Sequence, residues 1–271
     1  MFTTSRPAVT AGLSLVVICA LCAAALTWFL GRSDAPRSLG SPATTTVTVA
    51  ARPGVIPQPE RPDPSVVEFK KNATGSQATL LRLDDGSHVG TATERFARPA
   101  LSLAKLYVAY YVFEHGTEDE QYDAVMMISS SDDEEATRLY EKYPESIDRV
   151  ADEFNLYSTR GSEEWGTSVT STYDVTRFIA ALIKADKTHP ILVAMALSGP
   201  VAADGYGQDF GTAKLPGAQG TKWGWSNDLS LHSSVTFGEN YVAAAAVTGS
   251  ADDLTAFAEV QLGKLAEQAS S

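Results

Sequence analysis

A serine and a lysine three residues apart are the first candidates for chemistry in this sequence. Ser102 and Lys105 lie in the stretch RPALSLAKLYVAYYVF, which predicts a helix that is apolar on almost every side. A serine hydroxyl is a weak nucleophile until a base removes its proton, and a partly desolvated lysine can be that base. Pro99 suits the first helical turn, which would place Ser102 near the positive end of the helix dipole. The structural alternative is a capping serine and a lysine that extends to water.

Two later motifs follow this pair in an order that is itself informative. ERFARPALSLAK contains the only Ser-x-x-Lys of the chain, MMISSSDDEEATRLYEKYPESIDRVADEFNL contains Ser131-Asp132-Asp133, and GTKWGWSND contains Lys222-Trp223-Gly224. The set resembles the S-x-x-K, S-x-N and K-T/S-G elements of the serine β-lactamase and penicillin-binding protein (D,D-peptidase) superfamily. STYDVTRFIAALI is similar to the helix that follows that family's active-site loop. The resemblance extends from about Ala78 to the C-terminus.

The resemblance implies acyl-enzyme chemistry. Ser102 would be the acylated nucleophile, with Lys105 as its general base. Ser131 would relay a proton to the leaving group, and Lys222 would supply positive charge from an edge strand facing the cleft. The backbone N–H groups of Ser102 and Trp225 would form the oxyanion hole. The implied substrate is a cell-wall peptide or another small acyl compound, and the chemistry requires no metal or other cofactor.

Two residues depart from the family's pattern at positions that would bind substrate. Asp133 replaces an asparagine, and an ionised carboxylate accepts hydrogen bonds but cannot donate them. Trp223 replaces a small hydroxyl residue that would help to hold a substrate carboxylate. With Gly224 and Trp225 they complete the predicted substrate-binding set. Two hypotheses follow: a serine hydrolase, or a catalytically degenerate protein of this fold that acts as an envelope binding or scaffolding module.

Single residues in these motifs also allow structural interpretations. Ser131 would equally suit the cap of a helix that begins with Asp132, and Lys222 would equally be a surface charge. The loop STRGSEEWGTS lacks an E-x-x-L-N sequence. Glu163 and Glu164 are conceivable bases for a water that hydrolyses an acyl-enzyme, and exposed loop carboxylates are the alternative.

The surrounding sequence predicts one α+β domain. ATLLRLDDGSHVGTAT predicts a hairpin around Gly86, and a helical block extends from Pro99 to about Lys187. GTKWGWSND, LHSSVTFG and NYVAAAAVTG then predict antiparallel strands before a closing helix. We therefore expect an antiparallel sheet assembled from both ends of the domain with a helical insertion, giving an α/β sandwich lobe and a helical lobe.

The N-terminal part of the sequence predicts targeting. Residues 1–10 form the expected cytoplasmic tail. Residues 11–31 contain AGLSLVVICALCAAALTWFL, an uncharged stretch of 20 residues, which is about the length that crosses a bilayer. A cleaved signal peptide is the alternative. Residues 32–64 predict a disordered tether, and 65–271 the folded domain. The expected location is the cell membrane, single-pass, with the domain outside the cytoplasm, or secretion after signal cleavage.

Composition excludes several classes of protein. The formal net charge of −12 argues against binding to nucleic acid, which requires clustered lysine and arginine. Both cysteines, Cys19 and Cys22, lie in the N-terminal apolar run, so residues 65–271 contain no thiol for a disulfide or a zinc site. The four histidines are scattered without metal-binding spacing. The only membrane contact expected is through residues 11–31, and no protein partner is predicted.

Overall fold

A computed structural model describes residues 75–271. The predicted tail, membrane segment and tether, and the first residues of the predicted domain, lie outside this range. Among the helices within it, none has both the length and the apolar character needed to span a bilayer.

The described residues form seven strands, seven α-helices and three short 3-10 helices. The strands are β1 (Gln77–Arg82), β2 (His88–Gly90), β3 (Arg98–Pro99), β4 (Val169–Thr170), β5 (Ala218–Trp225), β6 (Leu231–Gly238) and β7 (Tyr241–Thr248). The α-helices are α1 (Ala104–His115), α2 (Glu118–Ser129), α3 (Asp133–Lys142), α4 (Ser146–Phe154), α5 (Thr172–Ala185), α6 (Pro190–Ala196) and α7 (Ala251–Ala269). The 3-10 helices are Leu101–Leu103, Trp165–Thr167 and Gly211–Lys214.

The main sheet is antiparallel and joins strands from both ends of the described chain, which confirms the predicted architecture. Its five strands have the order β2-β1-β7-β6-β5. The predicted hairpin is present as β1 and β2, with Gly86 at a φ of 72°, a conformation that glycine adopts without steric cost. The pairing of β1 with β7 joins the N-terminal hairpin to the C-terminal strands, and β5 lies at an edge of the sheet.

Side-chain alternation along β7 allows helices to pack on both faces of the sheet. Ala243 and Ala245 belong to an apolar cluster with α7, whereas Val242 and Ala244 belong to the core of the helical block, which includes α5. The small alanine side chains allow close approach of the helices on both sides. The domain consequently has three layers, with the sheet between α7 and the helical block.

Polar side chains fix the starts of these helices. Ser250 caps α7: its hydroxyl accepts a hydrogen bond from the Asp253 N–H at 3.1 Å, and the Asp253 carboxylate accepts one from the Ser250 N–H at 2.8 Å. Ser171 caps α5 by accepting a hydrogen bond from the Asp174 N–H. The apolar face of α5 is fully buried, and its members are Val175, Phe178, Ile179 and Leu182.

The structure differs from the sequence expectations at short elements. Pro99 lies in β3, not in the first turn of a helix, and helical structure begins at Leu101. The β3–β4 sheet was not predicted because strands of two residues are too short to show alternation. Helix α6 was also missed; its start is fixed by His189, whose Nδ1 accepts a hydrogen bond from the Ile191 N–H at 3.2 Å.

The α7 cap gives a first test of this packing. Ser250→Ala should lower the free energy of unfolding by about 1 kcal/mol, because it leaves backbone N–H groups of the first turn without an acceptor. Chemical denaturation measures the change. Ser271→Ala, at the exposed C-terminus, is the control and should leave stability unchanged. Equal stability of the Ser250→Ala protein and the wild type would contradict the role of the cap.

Candidate active site

Ser102 lies on a strained turn at the start of α1. The preceding Leu101 has a φ of 54°, in the left-handed region that leucine rarely adopts. Ser102 is 7% exposed and borders a cleft, and its hydroxyl makes no hydrogen bond to another described residue. Buried hydroxyls normally have partners, and backbone strain concentrates at functional sites. The sequence-predicted nucleophile is therefore held in an unusual conformation with its hydroxyl available to a ligand.

Strand β5 passes directly against this turn because Gly224 has no side chain. A Cβ atom on Gly224 would lie 2.8 Å from the Cβ of Leu101 and 2.9 Å from the backbone N of Ser102. Real Cβ atoms do not approach other atoms so closely without a shift. Gly224 thus acts through its backbone, by allowing the edge strand to reach the nucleophile.

The edge position of β5 leaves a backbone N–H available beside Ser102. The Ser226 N–H donates to the Leu231 carbonyl at 3.0 Å. Because hydrogen bonds alternate along an antiparallel strand, the preceding N–H, that of Trp225, points away from β6. The Ser102 N–H belongs to the first turn of a helix, where N–H groups lack intrahelical partners. These two donors suit the stabilisation of an oxyanion.

Ser131 is the meeting point of the second and third motifs. Its Oγ accepts a hydrogen bond from Lys222 Nζ at 2.7 Å and lies 3.4 Å from Lys105 Nζ, while its carbonyl accepts from Lys105 at 2.7 Å. Ser131 has a φ of 55°, a second strained position at the site. The capping interpretation of Ser131 is wrong: Asp132 caps α3 by accepting two backbone N–H bonds.

Lys105 is held by an ion pair that the sequence analysis did not predict. Its Nζ lies 2.5 Å from Asp133 Oδ1 and 4.7 Å from the centre of the Trp165 ring. The lysine side chain is 0% exposed, whereas that of Asp133 is 62% exposed and lines the cleft. Asp133 and the two oxygens of Ser131 account for all three ammonium donors of Lys105. No hydrogen bond joins Lys105 to Ser102 in the described part of the chain.

Burial makes both lysines easier to deprotonate. It lowers the pKa of Lys105, and the carboxylate of Asp133 opposes that shift. The pKa of Lys222 falls well below its usual value because of burial and the nearby charge of Lys105. Lys222 was predicted to face the cleft, but it lies buried behind Ser131. Its contribution therefore reaches a ligand only through that hydroxyl.

The two tryptophans of β5 lie on the sheet face opposite Lys222 and Gly224. Trp223 is buried in the α7 cluster, and its indole N–H donates to the Phe210 carbonyl at 2.9 Å. Trp225 lies farther along the strand and lines the cleft. Of the predicted substrate-binding residues, Asp133 and Trp225 reach the cleft and Gly224 borders Ser102, whereas Trp223 stabilises the core beneath the sheet.

Residues absent from the predicted site hold Trp225 in place. Its ring packs on Tyr206 with 4.8 Å between ring centres, and its N–H donates to Asp204 at 3.2 Å. The Tyr206 hydroxyl donates to His232 Nε2 at 2.8 Å. Because the Gly249 carbonyl can only accept, His232 Nδ1 carries the proton of the 2.8 Å bond between them. No local motif in the sequence indicates this network, since its members are far apart in the chain.

A cleft of about 740 Å³ opens in front of Ser102. The predicted loop carboxylates Glu163 and Glu164 line it. Trp165 of the same loop is anchored to α3, because its indole N–H donates to Thr137 Oγ1 at 3.0 Å. The other lining residues come from the turn before α1, from α3, from the 3-10 helix Trp165–Thr167 and from the segments that precede and follow β5: Leu101, Tyr140, Glu141, Gly166, Thr167, Asp204, Ser226, Asn227 and Asp228.

The sequence matches no protein family and no curated protein. The structure, in contrast, matches solved structures over almost their full length. The β-lactamase from Streptomyces albus G aligns with a TM-score of 0.57 and 14% identity over 74% of this chain and 97% of that one. The β-lactamase from Streptosporangium roseum aligns with a TM-score of 0.53 and 13% identity, covering 76% and 94%. Penicillin-binding protein D2 from Listeria monocytogenes, in its cefotaxime-bound form, aligns with a TM-score of 0.52 and 14% identity, covering 70% and 96%.

The domain therefore has the fold of the serine β-lactamases and penicillin-binding proteins. This confirms the resemblance predicted from the ordered motifs and the predicted α+β class. At these identities the alignment establishes the fold, and the chemistry must be argued from the residues of this chain.

The contact between β5 and the Ser102 turn can be tested with two glycines. Gly224→Ala should destabilise the protein, because its Cβ would force the strand away from Leu101 and Ser102. Gly263→Ala is the matched control: it lies within α7, where an added Cβ meets nothing within 4 Å. The control should stabilise the protein by about 0.5–1 kcal/mol through helix propensity. Denaturant unfolding measures both, and changes of the same sign would contradict the close approach.

Proposed function

We propose that the domain is a serine hydrolase that forms an acyl-enzyme on Ser102. The observation that supports this most directly is the unpartnered, buried Ser102 hydroxyl, which faces a cleft from a strained turn. It lies next to two N–H donors suited to an oxyanion and in the same site as a buried lysine–serine–lysine cluster. A nucleophile, a base and an oxyanion site are the minimum for acyl transfer.

In the proposed reaction, Ser102 Oγ bonds to the carbonyl carbon of the substrate while its proton passes to Lys105 Nζ. The carbonyl oxygen becomes the oxyanion between the N–H groups of Ser102 and Trp225. When the bond to the leaving group breaks, that group takes a proton through the Ser131 hydroxyl, and Lys105 supplies the replacement. Because a neutral amine keeps only two N–H donors, Lys105 must give up one of its present contacts; the 3.4 Å contact with Ser131 Oγ is the longest.

The proposed substrate is a cell-wall peptide or a related small acyl compound, and water completes the reaction by cleaving the acyl-enzyme. Glu163 and Glu164 line the cleft and are our candidates for activating that water. Attachment to a membrane through residues 11–31, with the domain outside the cytoplasm, is part of the same proposal. It is supported by the uncharged sequence of that segment.

A second candidate function is binding without catalysis. It is favoured by the ion pair with Asp133, which stabilises the charged form of Lys105, and by the lack of a hydrogen bond between Lys105 and Ser102 in the described structure. Catalytic hydrogen bonds often shorten only when substrate binds, so the catalytic hypothesis requires Lys105 to approach Ser102 in the substrate complex. Covalent labelling distinguishes the two candidate functions.

Labelling tests the nucleophile directly. A fluorescent penicillin and a fluorophosphonate serine probe should together include at least one reagent that modifies the wild-type protein, and Ser102→Ala should abolish that modification. Intact-mass spectrometry and peptide mapping identify the site. Ser198→Ala, on the chain that follows α6, serves as the control and should label normally. Modification that persists in Ser102→Ala, or a wild type that no probe labels, would sink the catalytic hypothesis.

The ion pair predicts a shift in pH dependence. Acylation needs neutral Lys105, so its rate should rise with pH through the pKa of this lysine. Asp133 raises that pKa. Asp133→Asn removes the charge, so the rising limb of the acylation rate should move to lower pH. The readout is the pH profile of the labelling rate.

Glu259→Gln on α7 makes the same change of net charge far along the chain from the motifs and is the control. Its pH profile should match that of the wild type. A rising limb that stays in place, or moves to higher pH, in Asp133→Asn would show that Lys105 is not the titrating base.

A further inference from the structure

We propose that the acyl donor carries a positive charge, as an ammonium or guanidinium group, that is held between the carboxylates and tryptophans of the cleft. This inference rests on the proposed function, because it names the substrate class of that same site. It differs from the expectation drawn from the sequence, in which Lys222 would supply positive charge from an edge strand facing the cleft.

The charged residues in the described lining of the cleft are all acidic. Among the described residues that line it, six have carboxylates and none has an ammonium or guanidinium group. The six are Asp133, Glu141, Glu163, Glu164, Asp204 and Asp228. A cleft lined by charges of one sign focuses its field and concentrates ligands of the opposite sign. An anionic ligand would meet repulsion at every charged wall.

The two lysines of the site do not reverse this field. Lys222 is fully buried behind Ser131, and burial lowers its pKa well below the usual value. Lys105 is also buried, and Asp133 contacts its ammonium group directly. One carboxylate therefore compensates the charge of Lys105, while the other lining carboxylates add negative charge to a cleft whose described lining contains no lysine or arginine.

Aromatic rings add a second kind of cation contact. Trp165 already lies 4.7 Å from the ammonium of Lys105, so this ring accepts a cation within the site. Trp225 lies beside Asp204, to which its indole N–H donates. Asp204 and Trp225 are thus in direct contact, and Glu163 and Glu164 directly precede Trp165 in the chain. These pairs suit a cationic group better than a neutral polar one.

The unpartnered Ser102 hydroxyl is the point at which the carbonyl group of such a ligand would react. It is 7% exposed and borders the same cleft, so a scissile carbonyl at Ser102 places the rest of the acyl chain against the acidic walls. The charge of Asp204 extends to the floor of the site, where it raises the pKa of both Lys105 and Lys222. The reacting atoms and the charged walls therefore belong to one site.

Three matched esters test the charge preference. They are 4-nitrophenyl esters whose acyl chains are alike in length and end in a trimethylammonium, a tert-butyl or a carboxylate group. The first two ends have nearly the same shape and differ in charge. The burst of nitrophenolate gives the acylation rate, and intact mass of the wild type and of Ser102→Ala assigns the acyl group. The cationic ester should acylate Ser102 fastest and the anionic ester slowest. At low salt these two acylation rates should differ by about tenfold or more, and the difference should narrow as salt is added.

Substitutions in the walls localise the effect. Asp204→Asn removes the charge and keeps one of the two acceptor oxygens, which receive hydrogen bonds from the Tyr206 and Trp225 N–H groups. The double variant Glu163→Gln, Glu164→Gln removes the two charges of the Trp165 loop. Each variant should lower the ratio of the acylation rate of the cationic ester to that of the neutral ester. Glu259→Gln again provides the control, because this exposed residue of α7 does not line the cleft, and its ratio should equal that of the wild type.

The outcomes separate this inference from the proposed function. If all three esters acylate Ser102 at similar rates, or the anionic ester reacts fastest, the charge preference is refuted and the hydrolase proposal stands. If none acylates Ser102, the hydrolase proposal fails for these esters. The charge preference is then tested by the binding of the corresponding unreactive amides, measured by tryptophan fluorescence. A cationic amide that binds no more tightly than the anionic one would refute it.

Discussion

The whole site depends on the burial of two lysines around one hydroxyl. Burying an ammonium group is costly unless hydrogen bonds and an opposite charge compensate it. Here Ser131 supplies its carbonyl and hydroxyl, and Asp133 supplies the charge. This requires the start of α3 to meet α1 and β5 at one point. The left-handed conformation of Ser131 is part of that constraint, because it directs both oxygens of one residue at the lysines.

Much of the fold was predictable because its signals are local. Alternating strands, the Gly86 turn and the serine cap of α5 can each be recognised within a few residues, and all are present. The ordered motifs also indicated Ser102, Lys105, Ser131 and Lys222, and the structure brings the last three into contact. The residues next to them in the sequence do not all lie in the site. Trp223 follows Lys222 directly, and strand alternation turns its side chain to the opposite face, so adjacency in a motif did not mean adjacency in the site.

The remaining features depend on contacts between distant residues. Asp133 was noted only as a replacement for asparagine, because its bond to Lys105 spans 28 positions of sequence. The support of Trp225 by Tyr206 and His232 is equally non-local, since it joins a loop to the neighbouring strand. Sequence reasoning identified the residue types that do chemistry but not the charge environment that sets their pKa values.

That environment connects catalysis to the ligand. Asp133 contacts Lys105 with one side and the cleft with the other, because its side chain is largely exposed while the lysine is buried. A positive group bound beside Asp133 would partly neutralise the Asp133 carboxylate. That carboxylate would then stabilise the protonated form of Lys105 less. By linkage, a ligand that binds more tightly when Lys105 is neutral must also lower the pKa of Lys105. Asp133 would then favour the protonated form of Lys105 without a ligand, and a bound cation would make Lys105 easier to deprotonate.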